Sequence, residues 1–184
     1  MATHTIVIIA GSLRKESFSL KIANALAKLA PASLKSEVIT PHGISNFNQD
    51  QEAAPPADWL AFREKLQKSH GVLFVTPEYN RSIPGTLKNA IDVGSRPYGA
   101  SAWAGKPAGV VSVSPGALGA FGANHHLRQM LVFLDMPAMQ QPEAYLGGVG
   151  KWFDADGKLT DKSAEEFLQK FIDAYAKWVA RFAA

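Results

Sequence analysis

Short, continuously apolar runs alternate along the chain with stretches in which apolar residues recur every three or four positions. Continuous runs are typical of strands that are buried on both faces of a sheet. On this basis we predict five strands, at residues 5–10, 36–40, 71–76, 107–113 and 138–146.

Helical spacing predicts five helices, which follow the strands in turn. Their approximate ranges are 20–29, 59–66, 87–95, 122–135 and 163–182. We expect Asp58 and Thr86 to cap the second and third helices, and Ser163 to form a capping box with Glu166 at the start of the last. The alternation predicts one α/β domain over residues 1–184, with a parallel sheet covered by helices on both sides.

One long segment has no periodicity. Residues 41–56 contain three prolines and no repeating apolar spacing. Loops of this length tend to be functional or mobile, so we expect one of these roles here.

The composition removes several classes of function. The chain has no cysteine, which excludes disulfide scaffolds, thiolate metal sites and cysteine nucleophiles. It has no apolar run near the roughly 20 residues that span a bilayer and no basic start typical of a signal peptide, so we expect a cytoplasmic protein without a membrane partner. The formal charge of +3 is too small and too scattered to predict nucleic-acid binding. The pair His125–His126 and residues 154–157 lack the spacing of metal ligands, so no metal is expected.

Ligand chemistry is expected at the carboxyl ends of the strands, where the order of strands reverses. In the order 2-1-3-4-5 this point lies between the first and third strands. Residues 11–19 follow the first strand and bring three hydroxyls, the Arg14 guanidinium and several amides to the start of a helix. Such a set binds anions, and the missing dinucleotide glycines favour a monophosphate. An ordinary helix start capped by Ser17 is the alternative.

Two further loops follow the third and fourth strands. Residues 77–85 form a proline-flanked turn that is suited to hold a rigid backbone edge against a planar ring, with Tyr79 and Ile83 shielding its apolar side. Residues 114–119 carry glycines, which permit either close approach of the backbone to a ligand or a positive φ in a turn. A plain turn is the alternative for each loop, but three ligand-capable loops at adjacent strand ends favour a shared site.

Five segments carry a family resemblance across nearly the whole chain. They are Gly11-Ser-Leu-Arg-Lys-x-Ser17, Thr76-Pro-Glu-Tyr-Asn80, residues 82–92, Ala104-Gly-Lys-Pro107 and residues 126–135. On these motifs the chain resembles the NAD(P)H-dependent FMN reductase family, and within it the branch of bacterial quinone and chromate reductases.

This resemblance implies a flavodoxin-like three-layer α/β sandwich, with a five-stranded parallel sheet in the order 2-1-3-4-5, that binds FMN and uses NAD(P)H as co-substrate. Residues implied to hold the FMN phosphate are Ser12, Arg14, Ser17, Phe18 and Ser19. Those implied to contact the isoalloxazine ring are Pro77, Glu78, Tyr79, Asn80 and Ile83. Those implied to line its other edge are Val113, Ser114 and Gly116.

The resemblance assigns no catalytic side chain, because FMN carries the chemistry, and Glu78 is expected to be a solvated or interface carboxylate. Hydride would pass from NAD(P)H through FMN to small-molecule acceptors in ping-pong order. The acceptors implied are quinones, flavins, azo compounds and metal oxyanions such as chromate.

The family also implies a homodimer or a dimer of dimers, with helix 87–95 and loop 41–56 as contact elements. Close relatives have Arg and Tyr where this chain has Gly122 and His125, and Tyr where it has Arg81. These differences change the polar groups available for pairing between dimers.

Two other functions fit the same cofactor. A flavodoxin-type electron carrier is disfavoured by the positive charge, because such carriers are acidic and dock basic partners. A non-enzymatic FMN-binding regulator is the second alternative. The choice between NADH and NADPH is left open, with Arg14, Lys15, Arg81 and Arg96 as candidate contacts to an adenosine phosphate.

Overall fold

The computed structural model describes residues 2–182. Its sheet has five parallel strands in the order β2-β1-β3-β4-β5. They are β1 (His4–Ala10), β2 (Leu34–Ile39), β3 (Gly71–Thr76), β4 (Ala108–Val113) and β5 (Ala144–Leu146). The predicted α/β fold and strand order are therefore confirmed.

Helices cover both faces of the sheet. They are α1 (Phe18–Leu29), α2 (Ala57–Gln67), α3 (Gly85–Gly94), α4 (Phe121–Phe133) and α5 (Lys162–Ala180). Side chains of β1 alternate between two cores: Ile6 and Ile8 pack with α1 and α5, whereas Val7 and Ile9 pack with α2, α3 and α4. This arrangement is the expected three-layer sandwich. Among residues 2–182, no helix combines the length and the apolar character needed to cross a bilayer.

The prediction for the last strand is wrong in length. The strand expected at 138–146 is limited to Ala144–Leu146, while Ala138 makes only an isolated bridge to Ala108. Pro142 lies between the bridge and the strand and has no N–H to donate, so the ladder cannot run through it.

The predicted caps of α2 and α3 are also wrong. Pro56 and Pro84 occupy the N-cap positions, because a proline fits a helix start, where amides lack intrahelical acceptors. Asp58 instead accepts hydrogen bonds from the backbone N and Oγ of Ser45, at 2.6 and 2.7 Å. Thr86 lies within the first turn of α3.

The capping box expected at the start of α5 is replaced by a simpler cap. Asp161 is the N-cap, and its Oδ1 accepts from the amide of Ala164 at 2.9 Å. Ser163 is therefore inside the helix rather than before it. Of the aromatic residues near this helix, Phe171 and Tyr175 are buried in the core, Phe167 and Trp178 are partly buried against it, and Phe182, just after α5, is exposed.

The long loop 41–56 is attached to its neighbours at several points. The Asn89 side chain accepts from the amide of Phe47 at 2.7 Å and donates to the carbonyl of Ser45 at 3.0 Å. The Phe47 ring stacks on Trp59, with 5.4 Å between the ring centroids. Side chains of α2 and α3 thus hold the loop at the carboxyl edge of the sheet.

Candidate functional site

A cavity of about 240 Å³ opens at the carboxyl ends of β1, β3 and β4. Its walls come from the three loops that the sequence singles out. The lining residues are Ser12, Arg14, Ser17, Phe18, Ser19, Pro77, Glu78, Tyr79, Val113, Ser114 and Pro115. The structure therefore brings together ten of the thirteen residues that the family resemblance implies, and it adds Pro115.

Hydroxyl groups and a helix start form one end of the cavity. Ser17 caps α1, because its Oγ accepts from the amide of Leu20 at 3.3 Å. The hydroxyls of Ser17 and Ser19 lie 2.7 Å apart, and both residues are buried, as is Ser12. One hydroxyl proton is enough for the bond between Ser17 and Ser19, so the other is free for a ligand.

The charge at this end is positive. The start of α1 contributes a partial positive charge, and exposed Arg14 lies on the cavity wall. The nearby Glu16 carboxylate pairs with Lys21 at 3.0 Å. A helix start with hydroxyls and a guanidinium is a site for an oxyanion such as phosphate. The two interpretations of residues 11–19 are therefore compatible, because Ser17 can cap α1 while the other groups remain suited to bind an oxyanion.

The loop after β3 forms a second part of the wall and contains a tight turn. Tyr79 and Ser82 exchange two backbone hydrogen bonds, of 2.9 and 3.0 Å, across Asn80 and Arg81. The φ angles of these two central residues are +53° and +65°, as a two-residue type I′ turn requires. A left-handed φ costs a residue other than glycine on the order of 1 kcal/mol, so Asn80 and Arg81 are strained. The two hydrogen bonds across them nevertheless fix the backbone of Tyr79 at the rim of the cavity.

Two residues of this loop do not lie on the cavity wall. Ile83 is buried in the core formed with α2, α3 and α4, because it follows the turn and points beneath the sheet edge. Asn80 is at the exposed tip of the turn. Neither residue is among those that line the cavity.

Glu78 has a partner that the sequence does not reveal. Its Oε2 accepts from the amide of Ala123 in the first turn of α4, at 3.0 Å, and its side chain is only 15% exposed. The α4 N-cap residue, Ala120, has no side-chain acceptor, so Glu78 supplies the missing cap from another loop. A Cβ on Gly122 would lie 2.9 Å from this carboxylate, so glycine lets the two elements approach. Of the two expected roles, a solvated carboxylate is wrong, because the Glu78 side chain is mostly buried and caps α4; the expected role at an interface stays a prediction.

The loop after β4 forms the third wall, but Gly116 does not take part. Its amide donates to Ser114 Oγ at 2.9 Å, and its carbonyl accepts from Gly148 at 3.3 Å. Gly116 therefore closes the loop on itself and on the chain after β5. Pro115, between two predicted site residues, takes the place on the wall. Its position inside a predicted ligand loop is the signal that could have identified it.

The four candidate contacts to an adenosine phosphate differ in their surroundings. Arg96 is bound to Glu52 by two hydrogen bonds, one of them 3.0 Å from its NH2 group. These bonds hold the pKa of Glu52 below its usual value. Arg81 makes a single, longer contact of 3.3 Å to Glu78. Arg14 lines the cavity and Lys15 is exposed next to it, so Arg96 is the least available of the four.

The adjacent histidines point to different partners. His125 Nε2 lies 3.0 Å from the hydroxyl of Tyr145, and His126 Nδ1 lies 3.0 Å from the hydroxyl of Ser82. Each imidazole therefore tethers α4 to a different segment, β5 in one case and the strained turn in the other.

Comparisons with known proteins agree with the geometry. A family model described as NADPH-dependent FMN reductase matches residues 4–150. A quinone reductase of Pseudomonas putida is 59% identical over 177 residues, which cover 96% of this chain and 95% of the relative. A 2-hydroxy-1,4-benzoquinone reductase of a Burkholderia species is 41% identical over 174 residues, which cover 95% of each chain.

A solved structure shows the same fold at full length. FerB, a flavoenzyme NAD(P)H:(acceptor) oxidoreductase from Paracoccus denitrificans, superposes with a TM-score of 0.91 at 39% identity, covering 98% of this chain and 99% of that one. The resemblance drawn from the motifs is confirmed, and the chain belongs to the NADPH-dependent FMN reductase family of flavoprotein oxidoreductases.

Proposed function

We propose that this protein binds FMN in the cavity at the carboxyl ends of β1, β3 and β4 and reduces quinones with NAD(P)H. The observation that carries the proposal is that one cavity is lined both by the hydroxyls and guanidinium at the start of α1, which are suited to an anion, and by the turn after β3. FMN has a monophosphate and a planar ring, and the cavity wall offers hydroxyls and a guanidinium for the first and the loops after β3 and β4 for the second.

The residues present fit the cofactor. The hydroxyls of Ser12, Ser17 and Ser19, the start of α1 and the guanidinium of Arg14 would hold the phosphate. On the ring side, the proposed contacts are Pro77, Glu78, Tyr79, Val113, Ser114 and Pro115. Asn80, Ile83 and Gly116 support these loops rather than touching the cofactor.

Bound FMN would supply the hydride-accepting ring, and the protein supplies binding and orientation. Tyr79 stands at the rim, fixed by the type I′ turn. Glu78 fixes the same loop to α4. The proposed role of these residues is to hold one edge of the ring in place while the cavity mouth admits the co-substrate.

Quinones are the acceptors that we propose first, since the Pseudomonas putida and Burkholderia relatives are named for quinone reduction. Flavins, azo compounds and metal oxyanions such as chromate are proposed as further acceptors. Because one cavity mouth serves both substrates, we propose ping-pong kinetics. Initial rates at several fixed quinone concentrations then give parallel double-reciprocal lines, and intersecting lines would contradict this order.

We also propose a homodimer or a dimer of dimers in the cytoplasm. Val132 and Phe133, near the end of α4, are 81% and 86% exposed. Large apolar side chains exposed side by side are typical of surfaces that another protein covers. Sedimentation of the purified protein tests the assembly, and a monomer at micromolar concentration would contradict it.

Binding of FMN to matched variants tests the site. Arg14→Ala removes the guanidinium proposed to bind phosphate, whereas Lys15→Ala removes the neighbouring exposed cation. Hydrogen bonds to a charged group contribute about 1.5–3 kcal/mol, so Arg14→Ala should weaken FMN binding on the order of 10- to 100-fold. Lys15→Ala should bind FMN nearly as well as the wild type. Equal affinities of Arg14→Ala and the wild type would refute the role of Arg14.

A further inference from the structure

A fully buried polar network lies behind the loop after β4. Ser112 and Asn124 are both 0% exposed. The Ser112 hydroxyl donates to the carbonyl of Gly119 at 2.7 Å and accepts from Asn124 Nδ2 at 3.1 Å. Asn124 Nδ2 also lies 3.3 Å from the carbonyl of Ala144 in β5. The two side chains therefore join β4, α4 and β5 to the end of the loop.

Arg128 completes the network on its outer side. Its Nε donates to Asn124 Oδ1 at 2.9 Å, and its NH1 donates to the carbonyl of Met139 at 3.0 Å. The orientation of the Asn124 amide follows from these partners, since only its oxygen can accept from a guanidinium. Each polar atom of the Asn124 side chain thus has a partner, as a buried amide requires.

The loop that this network reaches packs closely against β5 and the residues just after it. Gly119 and Ala120 have consecutive left-handed φ angles of +57° and +59°. A Cβ on Gly119 would lie 2.5 Å from the carbonyl carbon of Tyr145, and one on Gly147 would lie 2.7 Å from the oxygen of Ala117. The base of the loop therefore has no room to shift, while residues 115–118 are exposed above it.

The same loop supplies Val113, Ser114 and Pro115 to the cavity wall. Ser112, Asn124 and Arg128 are not among the residues that line the cavity. The Ser112 side chain bonds the loop through the carbonyl of Gly119, and Asn124 and Arg128 are linked to the loop through Ser112. Any effect of these residues on a ligand must therefore pass through the position of the loop.

We propose that Ser112, Asn124 and Arg128 are positioning residues that fix the wall after β4 against the FMN ring. This inference rests on the proposed function, because the loop matters to catalysis only if FMN occupies the cavity. The network gives a role to Asn124 and Arg128, which belong to the helix that Glu78 caps.

A pair of matched serine variants tests the proposal. Ser112→Ala removes the hydroxyl that bonds Gly119. Ser69→Ala removes another buried hydroxyl, which donates to the carbonyl of Leu66 at 2.7 Å just before the amino end of β3. Both variants should lower the melting temperature, because Ser69→Ala loses one buried hydrogen bond and Ser112→Ala loses two. Only Ser112→Ala should weaken FMN binding, by about fivefold or more, and shift the visible spectrum of bound FMN.

A second variant keeps the proposal testable if Ser112→Ala does not fold. Arg128→Gln acts at the half-buried outer end of the network and leaves Ser112 and Gly119 in place. It should speed FMN dissociation while the far-UV circular dichroism stays that of the wild type. A folded Ser112→Ala or Arg128→Gln protein with wild-type FMN affinity, dissociation rate and flavin spectrum would overturn the proposal. Failure of the wild type to bind FMN would instead reject the proposed function itself.

Discussion

Replacing Glu78 separates its role as a helix cap from its place on the cavity wall. The carboxylate accepts the amide of Ala123 at 3.0 Å, in a helix whose own N-cap, Ala120, offers no side-chain acceptor. Its other oxygen lies 3.3 Å from Arg81, whose side chain is 77% exposed. Glu78→Ala removes both contacts, and Glu78→Gln keeps an oxygen that can accept from Ala123.

The loss of unfolding free energy expected for each Glu78 variant is estimated from the contributions of the separate contacts. Loss of a side-chain cap costs about 1 kcal/mol, and loss of a negative charge at a helix start costs about 0.3–1 kcal/mol. The exposed ion pair with Arg81 adds little. Glu78→Ala should therefore lose about 1.5–2 kcal/mol, which for a chain of this size lowers the melting temperature by about 3–8 °C. Glu78→Gln should lose less than about 1 kcal/mol.

Urea unfolding of the FMN-free protein measures these losses without any contribution from the cofactor. Glu16→Ala is the matched control, since this carboxylate is 77% exposed and pairs with Lys21 at the start of α1. Glu16 precedes the N-cap Ser17 but does not cap α1, so Glu16→Ala should lose at most about 0.3–1 kcal/mol. The reasoning fails if Glu78→Ala is as stable as the wild type, or if Glu78→Gln is destabilised as much as Glu78→Ala.

Three further predictions concern packing and loop attachment elsewhere in the fold. Gly94→Ala should lower the free energy of unfolding in urea by about 1–3 kcal/mol, because the new Cβ would lie 2.5 Å from the indole of the fully buried Trp103. The control Gly85→Ala should be neutral or slightly stabilising, because a Cβ there would have nothing within 4 Å. Burial raises the pKa of Tyr175 well above its usual value, so its contribution to stability is complete below the unfolded-state pKa of about 10 and is lost above it. Unfolding between neutral and alkaline pH should therefore show a smaller alkaline loss for Tyr175→Phe than for the wild type. Asn89→Ala removes three hydrogen bonds to residues 41–56, so limited proteolysis should cut this loop faster than in the wild type. An equal rate of cleavage would count against the role of these bonds.

Local patterns were sufficient for the central elements. The sequence predicts the strand Gly71–Thr76 with its observed bounds, because the short apolar run in the sequence coincides with the residues that are buried on both faces of the sheet. Residues 138–146 are similarly apolar at both ends, but Pro142 interrupts the ladder and leaves only the last three residues in the sheet. A proline inside an apolar run is thus a stronger signal that the strand is interrupted than the apolar residues are that it continues.

Contacts between distant segments could not be predicted. Glu78 caps a helix 45 residues further along the chain, and no local spacing indicates such a pair. Asp58 similarly bonds Ser45 in the preceding loop, although its sequence position resembles that of an N-cap. The ligand loops themselves were predictable, because parallel topology places the ends of β1, β3 and β4 together whatever their side chains are.

Anaerobic mixing of the FMN-loaded protein with NADPH, and separately with NADH, tests the central claim most directly. The account predicts that the protein takes up FMN, that at least one of the two nucleotides bleaches the visible flavin band, and that added quinone restores it. A protein that takes up no FMN, or one whose bound FMN keeps its colour with both nucleotides, would contradict the account.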